Sequence, residues 1–230
     1  MAFHAVGLDL GQSSDPTALS VLACHGTPTL ARRPYVDAEL GLPGTMAEPV
    51  EGPPAHFGVV HLERLPLGTS YDKVVAHVVA LMRRLPGDSL LVVDHTGVGR
   101  GPYDYRLAAG LPAGGISIHG GEATTGDGML WRVPKKDLVM SALIPLQTGR
   151  LKIASSLPLA ATLVDELLNF KMRVDPQTIH MSFEARQGAH DDLVLSVSIA
   201  TWLAERIMAA LAEGSGQADA DIEQVHISPV

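Results

Sequence analysis

The chain has 230 residues, 46% hydrophobic and 18% charged, which suits one sizeable core and excludes both several independent domains and wholesale disorder. A formal net charge of −8 excludes a uniformly basic nucleic-acid binder, and the single cysteine, Cys24, excludes an intrachain disulfide or a CxxC zinc site. No apolar run is expected to reach the ~20 residues that span a bilayer, and MAFHAVGLDLG lacks a secretory signal's basic start, so a cytoplasmic chain with no membrane partner is expected.

Residues 3–10 read as a strand and 16–24 as a second, joined through GQSSD, whose Gly, Ser and Asp form turns. Cys24 is expected to be a small buried hydrophobe on that second strand. Residues 26–54, rich in Pro and Gly with little periodicity, read as an irregular surface excursion before a strand at 56–65. Ser70 is placed to cap a helix running to about residue 84, with Val74, Val75, Val78, Leu81 and Met82 at helical spacing and Pro86-Gly87 as its stop. The run SLLVVD at 89–94 has the pattern of a central strand covered on both sides. A Gly-rich turn with a short helix (TGVGRGPYDYRLAAG), a strand at 115–119 and a Gly/Thr loop to residue 127 follow.

Pro134 opens a helix reaching about residue 147, with Leu138, Val139, Ala142, Leu143 and Leu146 on its apolar stripe and Gly149 as its stop. A brief apolar piece at 151–153 and a helix at 158–168 lead to a second hairpin, 170–174 and 179–183, around Asp175-Pro176. The last helix runs from 188 to about 211, so residues 1–212 form the expected domain and 213–230 a mobile tail. The order implies an α/β fold: a mixed sheet flanked by helices, with an added hairpin before the closing helix.

Three acids stand at the ends of these elements. Strand alternation puts Asp9 on one face with Ala5 and Gly7, small neighbours that would leave room for a ligand. Asp94 ends the buried strand, where open α/β sheets place their ligands. Adjacent, these two would repel unless a cation or shared proton intervened. Asp191 and Asp192 follow His190 at the start of the closing helix, where carboxylates suit the dipole. Converging carboxylates with no Cys describe an oxygen-rich site suited to Mg²⁺ or Mn²⁺, two of which can clamp the oxygens of a phosphodiester during cleavage. Each acid also has a plainer reading: Asp9 opening a turn, Asp94 closing an Asx-turn, Asp191 and Asp192 steadying a helix start. His95 and His190 read as turn or capping residues rather than ligands.

Between residues 132 and 152 lie Arg132, Lys135, Lys136, Arg150 and Lys152 against one acid, Asp137. Lys135 and Lys136 fall in a first helical turn that disfavours cations, which a phosphate partner would explain, as would an ordinary solvated surface. Trp131 and Trp202 read as packing residues.

The ordered set GLDLGQSSDPTALSVL, LVVDHTGVGRGPYDYRL, VPKKDLVMSALIPLQTGRLKI, LVDELLNFKMRV and GAHDDLVLSVSIATWLA resembles the C-terminal nuclease domain of tailed-phage terminase large subunits. The resemblance spans residues 6–204 apart from 26–54. It implies a ribonuclease H-like fold and a two-metal endonuclease, using Mg²⁺ or Mn²⁺, that cuts double-stranded DNA during viral packaging in the bacterial host cytoplasm. By position, Asp9 would bridge both ions while Asp94 and Asp191 each hold one, with Asp192 adjacent and His95 and His190 beside them. Arg100, Arg132, Lys135, Lys136 and Lys152 would face DNA. Family members normally begin with an ATPase motor, and these residues contain no GxxxxGK[ST] phosphate loop, which leaves open an excised domain, the product of a split gene or a free-standing relative, the last two with a motor, portal or small terminase subunit acting in trans. Two other classes remain open: an actin- or sugar-kinase-like ATP-binding protein, which shares the core and the DxG strand end, and a non-catalytic docking module for the packaging motor.

Overall fold

Alternation of side chains sorts the first strand's residues between two layers, and the rest of the sheet follows its lead. The computed structural model describes residues 2–11, 15–26, 30–36, 43–49, 54–96, 110, 113–127, 129–174, 181–184 and 190–213; at 30–36, 43–49, 127, 171–174, 181–184 and 211–213 it describes the backbone alone. In chain order the strands are β1 (Ala2–Asp9), β2 (Thr17–His25), β3 (Leu30–Val36), β4 (Pro43–Pro49), β5 (His56–Leu65), β6 (Ser89–Asp94), β7 (Ala113–His119), β8 (Thr125–Asp127), β9 (Leu130–Pro134), β10 (Leu151–Ile153), β11 (Lys171–Val174) and β12 (Met181–Glu184). The helices are α1 (Tyr71–Met82), α2 (Lys135–Gln147), α3 (Ala160–Asn169) and α4 (Asp192–Glu213).

Eight strands form one mixed sheet in the order β10-β5-β2-β1-β6-β7-β9-β8. β1 pairs antiparallel with β2 and parallel with β6, which continues parallel through β7 to β9. Val6, Leu8 and Leu10 point to the layer closed by α1, packing with Val74, Val78, Leu81 and Met82. Phe3 and Ala5 point the other way, into a core shared with Leu163 of α3 and Leu193, Val197 and Ala200 of α4. Cys24 lies fully buried in that second core, its thiol pushed up to about 12 by desolvation, as expected of an inert hydrophobe.

The first hairpin, the strands at 56–65 and 89–94, and the helices near 70, 134 and 158 form where the sequence puts them, within two or three residues. Gly149, in the left-handed conformation at φ 71°, follows the end of α2 as expected. The second hairpin forms as β11 with β12, its outgoing strand two residues later than expected, and its turn lies outside the described residues. Three expectations are corrected. Part of the excursion at 26–54 is a regular antiparallel hairpin, β3 with β4. The loop to residue 127 ends in β8, and the unassigned stretch before Pro134 is β9, whose partners supply the ladder that its Trp and Arg give no pattern for. Residues 192–210 do form a helix long and apolar enough by composition to span a bilayer, with mean hydropathy 1.5, but 72% of it is buried, as in a core helix. The short helix expected after residue 97, and the tail beyond 213, lie outside the described residues.

Gly7 is small for a reason other than the expected one. A Cβ there would fall closer than 3.0 Å to the carbonyl oxygen of Ser196 and at 3.0 Å from both the Cβ and the amide nitrogen of Ala200. The space beside β1 is therefore filled by the backbone of α4, and that close approach positions the site.

Candidate metal centre

Register brings the first two acids together: Asp9 and Asp94 are direct partners in the parallel ladder of β1 and β6. Both share parity with residues that face α4, Asp9 with Ala5 and Asp94 with Val92. From the contact of Gly7 with Ser196, two residues forward along the strand and five back along the helix each cover about 7 Å. That arithmetic delivers Asp191 over Asp9. Electrostatics agree: burial raises the Asp9 carboxyl well above the ordinary carboxylate range, and repulsion from Asp94, Asp191 and Asp192 raises it further, partly offset by Lys135.

Asp94, Asp191 and Asp192 are each met by a donor. Asp94, 8% exposed, accepts the backbone N–H of Thr96 at 2.7 Å, so its Asx-turn reading holds alongside its place in the cluster. Its carboxyl is also raised, chiefly by burial, with Thr96, His95 and Lys135 pulling it back. Asp191 accepts from the Lys135 ammonium at 2.9 Å, and its own backbone carbonyl takes the amide of Leu195, making it the residue that opens α4. Asp192, the first residue of α4, has both carboxylate oxygens on Arg64: Nε to Oδ2 at 2.6 Å and Nη2 to Oδ1 at 3.1 Å. Nη2 of Arg64 also donates to Glu166 Oε1 from α3, whose other oxygen accepts the amide of Val194 at 3.1 Å. Burial and Asp192 push the Glu166 carboxyl up to about 7, against the pull of Arg64 and the amides of Val194 and Leu193.

His95 places its ring 3.4 Å from Ser117 Oγ, and its backbone amide bonds Ile116 across to β7. His190 is half exposed, with Nδ1 at 3.8 Å from Asp192 Oδ1. The expected basic surface does not gather. Arg132 on β9 and Lys152 on β10 are exposed with five strands between them, because α2 carries the chain across the sheet. Lys136 pairs with Glu122, Arg150 with Glu205 at 2.8 Å, and Lys135 lies at the acids and 5.4 Å from the Phe170 ring. Arg100 lies outside the described residues. Trp131 and Trp202 pack edge to face with centroids 5.5 Å apart, as packing residues should.

Arg64 and Glu166 had no place in the sequence reading. Their separations from Asp192, 128 and 26 residues, leave no local signal, although an arginine two residues beyond the buried Leu62 on a half-buried strand asks for an acidic partner.

Among the described residues, no three His, Cys, Asp or Glu side chains stand close enough to hold a metal ion as they are placed. The donor chemistry nonetheless fits a hard cation. Asp9, Asp94 and Asp191 bring three carboxylates around one ammonium, Lys135, and this excess of negative charge on oxygen donors is what divalent ions of the Mg²⁺ and Mn²⁺ kind neutralise.

No protein-family model and no curated protein matches the chain. Among solved structures, it is similar to the large terminase nuclease from thermophilic phage G20c, with 20% identity, TM-score 0.53, and coverage of 86% of this chain and 81% of that one. A structure of the G20c nuclease with bound zinc aligns at 20% identity and TM-score 0.50, covering 86% of this chain and 80% of that one. The chain therefore has the fold of large terminase nuclease domains, an eight-stranded mixed sheet of the ribonuclease H-like kind flanked by helices.

Proposed function

We propose that the protein is a metal-dependent endonuclease that cuts double-stranded DNA in viral genome packaging, working with two divalent ions, Mg²⁺ or Mn²⁺. The observation that carries this reading is the meeting of Asp9 and Asp94 as ladder partners under Asp191, on the fold of terminase nucleases. Asp9, Asp94 and Asp191 would hold the ions. When bound, such ions activate the attacking water and stabilise the leaving oxygen of a phosphodiester.

The chain's own residues do the rest. Asp9, repelled by both Asp94 and Asp191, would be the ligand the ions share, and the Thr96 N–H holds one oxygen of Asp94 in place. Lys135 keeps a positive charge beside the carboxylates, where an incoming phosphate would meet it. Arg132 and Lys136, on the β9 side of the acids, would contact the DNA backbone, and Lys152, on the far edge of the sheet, would not. Asp192 belongs to the Arg64 pair rather than to the ions. Setting the cut in packaging, in the host cytoplasm, associates the domain with an ATPase motor, a portal or a small terminase subunit.

The test is nicking of supercoiled plasmid in Mn²⁺ and in Mg²⁺. Wild-type protein should cut, and Asp9→Asn and Asp94→Asn should each lose at least 100-fold in rate. Cutting that survives in both variants overturns the assignment. DNA binding without cleavage in either metal would favour the docking module instead, and stabilisation by ATP the actin-like reading.

A further inference from the structure

Across the sheet, one row of register partners runs Asp94–Asp9–Ala18–Arg64 through β6, β1, β2 and β5. Arg64 thus stands two strands from Asp9, about 10 Å away, with only the small Ala18 between them. The start of α4 crosses above this row, Asp191 on the side of Asp9 and Lys135, Asp192 on the side of Arg64. Arg64 is aimed there by an irregularity in β5. The register with β2 slips between Val21 and Leu22, leaving Val60 as an extra, 45% exposed residue, so that parity reverses and Arg64 joins Leu62 on the α4 face.

We propose that Arg64 is a positioning residue for the nuclease site: by clamping Asp192 and Glu166 together it fixes the rotation of the first turn of α4, and so the place of Asp191 beside Asp9 and Asp94. The inference rests on the nuclease reading. Two carboxylates, 6% and 7% exposed at their side chains, share one guanidinium, and Glu166 spends its second oxygen on Val194 N–H, a first-turn amide with no partner inside the helix. As a source of stability a buried triad carrying net negative charge is a poor choice, since apolar residues of the same volume serve as well or better. What a planar, bidentate fork provides is direction. Successive helical residues diverge by about 100°, so holding Asp192 toward Arg64 dictates where Asp191 points. It also keeps a fourth carboxylate out of the ion cluster.

The experiment compares wild type, Arg64→Gln, Arg64→Lys and a control, Leu163→Ala, which empties a fully buried site on α3 without touching the clamp. Mn²⁺ affinity is titrated by the spin-resonance signal of free Mn²⁺, hydrogen exchange is followed at the Val194 amide in metal-free protein, and plasmid nicking gives kcat and KM. Arg64→Gln should lose roughly 10–100-fold in Mn²⁺ affinity, lower kcat with KM for DNA unchanged, and speed exchange at Val194. Arg64→Lys should recover part of each loss. Leu163→Ala should be less stable yet bind Mn²⁺ as wild type does. Unchanged Mn²⁺ affinity and kcat in Arg64→Gln, beside a wild type that binds and cuts, overturns this inference alone; equal losses in Leu163→Ala do the same by assigning the effect to general loosening. A wild type that neither binds Mn²⁺ nor cuts overturns the nuclease reading and this inference with it.

Discussion

Gly7→Ala tests the contact that brings the acids together. The added methyl would sit closer than 3.0 Å to the carbonyl oxygen of Ser196 and at 3.0 Å from Ala200 Cβ and N, where ordinary contact begins at 3.4 Å. Most of that obstacle is helix backbone, which has no rotamer to change, so α4 must lift from β1 by about 1 Å. Overpacking of this kind costs about 1–3 kcal/mol of stability. The same displacement moves Asp191 from Asp9, and a misplacement of about 1 Å lowers an enzyme's rate about 100-fold. Gly58→Ala on β5 is the matched control, because its Cβ meets nothing nearer than 3.9 Å; it should cut DNA normally and be as stable as wild type or more so, by up to about 1 kcal/mol. Ala200→Gly should not rescue Gly7→Ala, since the Ser196 carbonyl and the Ala200 amide remain. Urea denaturation and plasmid nicking with Mn²⁺ supply both readouts. If Gly7→Ala unfolds at the wild-type midpoint and cuts at the wild-type rate, the packing of α4 on β1 does not set the site.

Asp9→Asn should raise the melting temperature of the protein in EDTA, because it removes a buried charge that three neighbouring acids repel, and should abolish stabilisation by Mn²⁺, which in wild type amounts to about 2.7 kcal/mol at 100 times Kd. A lower melting temperature in EDTA, or a Mn²⁺ shift that persists, refutes the account of Asp9. Glu166 supplies a pH test: its carboxyl is raised in the folded protein from 4.5 to about 7, so the folded state binds this proton more tightly, and the stability it lends is whole below about pH 4.5 and lost as pH rises through 7. Stability curves of wild type and Glu166→Gln should therefore separate between pH 4.5 and 7, with the variant gaining on wild type as pH rises; parallel curves would show that Glu166 is not the group responsible.

What could be read in the sequence were the features that a single strand or helix imposes on itself. Alternation in AVGLDL and the apolar run before Asp94 fixed which strands lie in the core, and the two acids at strand ends then meet because β1 and β6 are neighbours in register. Features imposed by a partner were not legible. β8 (TGD) has little strand tendency of its own and is held by β9 at the sheet's edge. Gly126 and Gly114 are small because the Trp131 ring lies against both, a reason that no local pattern encodes. Likewise the charge cluster at 132–152 suggested one surface, whereas the crossover through α2 sends its members to opposite edges and turns Lys135 onto Asp191. The dipole argument against lysines in a first helical turn was sound for Lys135, but the anion that answers it is a carboxylate of this chain.

The irregularity in β5 shows how such partner-imposed features reach the site. Simple alternation from Phe57 would send Val59, His61 and Glu63 toward α4 and Arg64 toward α1. The extra residue Val60 reverses this. His61 and Glu63 then lie on the α1 side, where Glu63 accepts from His77 of α1 at 2.8 Å and stands 3.2 Å from the ring of His61. Arg64 turns to the acids of α3 and α4. Without the slip, the row across the sheet would end in a glutamate beside Asp9 and Asp192, adding negative charge where the structure places its guanidinium. One inserted residue in a strand, paired with a helix that a glycine lets approach, is thus enough to convert four like charges into an arrangement in which one is tied to Arg64 and three are left around Lys135.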